Sequence, residues 1–133
     1  CFVDDMYDNH TEEVKGIIEK YIVSVRHFVF TIPEYNGTFS GALKLFMDGL
    51  DPAYFNHKSA MLAGVASGRA GNIVGLEQFT TVLNHLQVEV LSNKVLLSQI
   101  DNLLGRDGMI KDKIALKIID NQLNKFIKIH SLK

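Results

Sequence analysis

Residues Ala60-Met61-Leu62-Ala63-Gly64-Val65-Ala66 are apolar without interruption. A half-buried strand alternates between apolar and polar residues. A continuous run of this length instead suits a strand covered on both faces, as in parallel sheets flanked by helices. The run over 60 to 66 is therefore expected to form the centre of a sheet, and the rest of the chain must supply the covering layers. On the N-terminal side, Val14, Ile17, Ile18, Tyr21, Ile22 and Val25 recur at three- and four-residue steps, and Asn9 with Glu12 resembles a capping box. These features predict an amphipathic helix over 11 to 25. His27-Phe28-Val29-Phe30-Thr31-Ile32 is short, aromatic and β-branched and ends at Pro33, as a buried strand would.

Leu43, Phe46, Met47 and Leu50 give a second helical stripe that stops around Gly49 to Pro52. After the loop Ser67 to Asn72, Leu76, Phe79, Leu83 and Leu86 give a third, and Val88-Glu89-Val90-Leu91 reads as a third strand. The stretch 93 to 108 reads as irregular, with a turn at Asp107-Gly108. A last helix over about 111 to 129 carries Leu116, Ile119, Leu123 and Phe126 on one face. Helices alternating with strands, joined by connections long enough for crossovers, predict an α/β fold with a parallel sheet. No repeat, low-complexity tract or linker divides the 133 residues, which read as a single domain.

Composition removes several classes of function. The chain has 14 Lys plus Arg against 15 Asp plus Glu and no block of five like charges, so it lacks the electrostatic footprint of a nucleic-acid binder. No apolar stretch approaches the roughly 18 residues of a membrane-spanning helix, so no membrane partner is expected. With one cysteine, Cys1, and five scattered histidines at 10, 27, 57, 85 and 130, neither an intrachain disulfide nor a metal-ligand spacing is available, and no metal site is expected. A reducing cytoplasm fits this cysteine usage. The first residue is Cys rather than Met and no signal-peptide pattern follows it, so the chain is expected to start inside its own gene product.

In a parallel sheet, ligands bind outside the carboxyl ends of the strands. Two loops are expected at that edge: Pro33-Glu34-Tyr35-Asn36-Gly37-Thr38 after the first strand, and Ser67-Gly68-Arg69-Ala70-Gly71-Asn72 after the second. Their glycines let backbone amides approach a ligand closely, and the helix after Asn72 offers its positive dipole end to anionic atoms. Taken singly, each loop is also an ordinary strand-to-helix turn. Together they suit a flat, hydrogen-bonding cofactor.

Taken together, these loops resemble those of the NADPH-dependent FMN reductase family, which has a flavodoxin-like fold and includes azo, quinone and chromate reductases. The likeness runs from about Val14 to Phe126. Its most specific part is Pro33-Glu34-Tyr35-Asn36-Gly37 followed by Gly41-Ala42-Leu43-Lys44 and Asp48, similar to the family's PEYNGS, GxLKN and D pattern. The stretch Ala66-Ser67-Gly68-Arg69-Ala70-Gly71-Asn72 resembles its second flavin-side loop. The resemblance implies a three-layer sandwich of strand order 2-1-3-4-5, with strands 3, 4 and 5 in this chain. It implies an FMN cofactor held by residues 33 to 38 and by Ser67, Gly68, Arg69, Gly71 and Asn72. It further implies NADPH or NADH as donor, a small-molecule electron acceptor, and a homodimer or homotetramer. No protein side chain is expected to be catalytic, because the chemistry belongs to the flavin.

The sequence departs from the family pattern at Leu45, where Asn is common, at Gly49, where an aromatic is common, and at Ser40, where Pro is frequent. The family's first strand and its phosphate-binding loop have no counterpart here. The complete protein is therefore expected to carry roughly 40 further residues before Cys1, about one strand-helix-strand unit, with the strand over 27 to 32 in its interior. The rival readings are a flavodoxin-like electron carrier without reductase activity, against which a pI of 6.6 argues, and an interaction module that has lost flavin.

Overall fold

The computed structural model describes residues 10 to 131. Helix α1, Glu12–Ile18, is capped by Thr11, whose Oγ1 accepts the Val14 amide at 3.4 Å. Asn9, expected in a capping box, lies outside the described residues. The helix widens into a π turn over Glu19–Val23. The ammonium of Lys58 donates to the carbonyls of Ile22 and Val23 there, so a cation closes the negative end of the helix.

Strand β1, His27–Pro33, runs parallel to β2, Ser59–Val65, in a register from His27 opposite Ser59 to Pro33 opposite Val65. On the other flank of β2 lie β3, Glu89–Val90, opposite Ser59 and Ala60, and β4, Val95–Leu97, opposite Ala63 to Val65. The central position expected for the run 60 to 66 is the one that β2 occupies. The third strand is shorter than expected from Val88 to Leu91, and it resumes as β4 inside the stretch expected to be irregular. Val95-Leu96-Leu97 is too short to show a period; its pairing with β2, not its own pattern, makes it a strand. A four-residue helix, α4 (Ile100–Leu103), follows in the same stretch.

Helices α2 (Gly41–Asp48), α3 (Ile73–His85) and α5 (Lys113–Ser131) complete the layers. Successive strand residues point to opposite faces, so β2 serves two cores. Ala60 and Leu62 pack with Phe28, Ile32, Phe55, Leu76, Phe79 and Leu83 under α1, α2 and α3. Met61 and Ala63 pack with Val95, Leu97, Ala115 and Phe126 under α5. Among the described residues β1 pairs only with β2, and Val29, on the face away from α3, is 52% exposed. Leu116, expected on the buried stripe of the last helix, is exposed and Ala115 takes its place, whereas Ile119, Leu123 and Phe126 lie on the stripe as expected. Among the described residues no helix is long and apolar enough to cross a membrane.

Candidate functional site at the carboxyl edge of the sheet

Parallel strands end together, so the segments after β1, β2 and β4 emerge side by side. The first is a tight hairpin. Tyr35 and Thr38 exchange both backbone hydrogen bonds, at 2.8 and 3.0 Å, around Asn36 (φ 49°) and Gly37 (φ 80°). Two consecutive positive φ values define a type I′ turn, which Asn-Gly adopts more readily than other pairs. The turn is fixed at its root by the Glu34 amide, which donates to Val65 O at 2.8 Å. It is fixed at its far side by the Thr38 hydroxyl, which donates to Gln78 Oε1 on α3. Glu34, Tyr35, Asn36 and Gly37 are exposed, and no atom lies within 4 Å of where a β-carbon on Gly37 would stand.

The second loop divides into two parts. Ser67, Gly68, Arg69 and Ala70 are exposed, whereas Gly71 and Asn72 are buried beneath them. Asn72 sits at φ 62° and is 1% exposed. Its Nδ2 donates to Ile32 O at 3.1 Å, and its backbone amide donates to Glu34 Oε2 at 3.2 Å. The structure thus brings residues 33 to 38 and 67 to 72 together, but it gives them different positions. Glu34 to Gly37 and Ser67 to Arg69 face outward, Pro33 ends β1, Thr38 is half-buried, and Gly71 and Asn72 hold the loop from below. Among the described residues Arg69 has no ion pair.

A third segment at this edge was not expected from the sequence. Ser98 and Gln99 follow β4, Gln99 takes φ 49°, and its amide donates to Gly68 O at 2.8 Å, pinning the second loop. The apolar triplet Val95 to Leu97 between Lys94 and Ser98 was the available signal. Lys44 and Asp48, the other residues of the sequence pattern, pair with each other at 2.6 Å along α2. They border a separate cavity of about 690 Å³ between the C-terminal halves of α2 and α3, which none of the edge-loop residues line.

The exposed part of the edge can offer hydrogen bonds to a flat ligand. It combines a rigid turn, outward backbone and open space beside Gly37, with a cation on the facing loop. A parallel sheet between helical layers, with loops linked at its carboxyl edge, is the arrangement of doubly wound α/β proteins, the flavodoxin-like class among them. Within that class, the model of the NADPH-dependent FMN reductase family matches residues 1–102, and the chain belongs to that family. It is 34% identical over 83 residues to an NADPH azoreductase of Bacillus sp. strain OY1-2, a match covering 60% of this chain and 47% of the azoreductase. The chain therefore spans about half the length of this curated relative.

Among solved structures, the flavoenzyme NAD(P)H:(acceptor) oxidoreductase FerB of Paracoccus denitrificans superposes with a TM-score of 0.72 at 16% identity, over 92% of this chain and 74% of that one. An oxidoreductase of Corynebacterium diphtheriae gives 0.59 at 21% identity, over 74% and 53%. The apo form of the NADH:FMN oxidoreductase EMOB gives 0.62 at 16%, over 87% and 59%. At these identities the likeness is one of fold.

Proposed function

We propose that the protein is an FMN-dependent NAD(P)H oxidoreductase whose flavin rests on the paired loops at the carboxyl edge of β1 and β2. The observation that carries this reading is the join between those loops, Glu34 to Asn72, in a chain of the FMN reductase family. Bound FMN would supply the redox chemistry, taking a hydride at N5 from the nicotinamide and passing electrons to a flavin, quinone, azo or similar small acceptor. The chain's own part is to bind and orient. Exposed amides of Asn36 and Gly37 offer donors to one edge of the ring, and the Asn36 carboxamide adds a donor and an acceptor. Ser67 and Gly68 line the facing side, with Arg69 placed to meet anionic atoms of the donor or of the reduced ring. Gly71 and Asn72 act indirectly by fixing the second loop. A cytoplasmic homo-oligomer is part of the same reading.

The test is FMN binding by fluorescence quenching together with steady-state NADPH oxidation in the presence of FMN and a quinone or azo acceptor. Saturable quenching and acceptor-dependent oxidation are expected. A folded protein that neither binds FMN nor oxidises NADPH or NADH would refute the proposal, and binding without turnover would favour an electron carrier.

A further inference from the structure

Glu34 occupies the turn that the proposed flavin site uses, yet its carboxylate is directed across the site floor. Its backbone is fixed as a continuation of β1, because its amide donates to Val65 O at 2.8 Å. Oε2 then accepts the amide of Asn72, 38 residues further on, at 3.2 Å. That amide stands at the start of α3, where backbone donors have no partner within the helix. The next donor, Ile73 N–H, is already taken by Ala70 O at 3.2 Å. Asn72 is almost fully buried and its side-chain nitrogen donates to Ile32 O, which anchors the residue where its amide meets Glu34. Without Glu34 this part-buried donor has no other partner among the described residues, and losing a charge-assisted acceptor costs more than an ordinary hydrogen bond contributes.

We propose that Glu34 is a positioning residue: its carboxylate, held on the Asn72 amide, sets the spacing of the two loops and places a negative charge beside the ring. This rests on the flavin reading above. The same group then has two separable effects. As an acceptor it holds the second loop where its exposed amides meet the ligand, and any side chain that can accept from Asn72 preserves this effect. As a charge it opposes electron gain by a ring bound next to it, and only an ionised group does that. Arg69, on the facing loop, partly offsets the second effect.

The test compares the wild type with Glu34→Gln and Glu34→Ala by three measurements: the Asn72 amide resonance without flavin, FMN affinity, and the midpoint potential of bound FMN. The Asn72 amide proton is expected to move upfield in Glu34→Ala and to stay near the wild-type position in Glu34→Gln. FMN affinity should fall about tenfold in Glu34→Ala and stay within about threefold in Glu34→Gln, since losing a charge-assisted partner costs more than exchanging it for a neutral one. The potential should become more positive in Glu34→Gln. An Asn72 resonance unmoved in Glu34→Ala would overturn the proposal. So would equal FMN losses in both variants, or bound FMN of unchanged potential in Glu34→Gln. If the wild type takes up no FMN, the flavin reading fails, while the Asn72 resonance still decides whether Glu34 joins the loops.

Discussion

The carbonyl oxygen of Gly71 lies against the backbone of Gly64, inside the volume that a β-carbon on Gly64 would fill. The second loop therefore rests directly on the central strand, and Leu76 and Asn72 close the same space at 3.1 and 3.2 Å. Gly64→Ala has backbone rather than a flexible side chain to displace. We predict a loss at the upper end of overpacking costs, about 3 kcal/mol, in urea unfolding monitored by far-UV circular dichroism. A loss below about 0.5 kcal/mol, the size of an ordinary surface change, would mean that the loop lifts away freely.

Gly37 presents the opposite case, since it has open space around its β-carbon position but φ of 80°. Gly37→Val then costs only left-handed backbone strain, about 1–2 kcal/mol, while distorting the turn that presents the Asn36 and Gly37 amides. Gly108, with φ of 74° and equally open surroundings in a different loop, provides the control. Substituting Val at either position should lower stability similarly, but only Gly37→Val should weaken FMN binding. Equal FMN affinity in the two folded variants would remove the first loop from the site.

Much of this architecture was legible because burial on both faces leaves a mark that needs no context. The run from Ala60 to Ala66 marked the central strand, with an observed start at Ser59, and the Asn36-Gly37 pair marked a turn that only positive φ explains. What escaped notice depended on partners distant in sequence. β4 has three residues and exists through its register with Ala63 to Val65, and Gln99 belongs to the site edge through its bond to Gly68. Loop composition put Asn72 in the second loop with its neighbours but could not separate residues facing outward from residues beneath them. That distinction follows from contacts distant in sequence: Gly71 lies against Gly64 and Leu96, and Asn72 is bonded to Ile32 and Glu34.

Lys58 gives the fold a pH dependence of definite sign. Burial holds its pKa below the ordinary 10.5, with Glu19 acting weakly in the other direction. Between the lowered folded value and 10.5 the unfolded chain binds more protons than the folded one, so the Lys58 contribution to stability rises with pH through that window. Below it both states are protonated and the desolvation cost is fully present. Relative to Lys58→Met, the wild type should therefore gain stability as pH climbs toward 10.5. Paired denaturant titrations across that range measure this, and a difference that is flat or falls with pH would contradict it.

On the proposed reading, Arg69 tests where a nicotinamide donor would dock. It is exposed on the second loop and has no ion pair among the described residues, so Arg69→Ala removes a charge without removing a structural contact. Stability should change by less than about 0.5 kcal/mol, as for surface substitutions away from packing features. If the guanidinium meets a phosphate of the donor, the apparent KM for NADPH should rise several-fold with kcat nearly unchanged, because the interaction is made equally in ground and transition states. That rise should shrink at high salt, where an exposed pair is screened. A KM equal to wild type at low ionic strength would place the donor elsewhere on the edge. A fall in kcat at constant KM would instead put Arg69 beside the reacting ring, where its charge stabilises the reduced form.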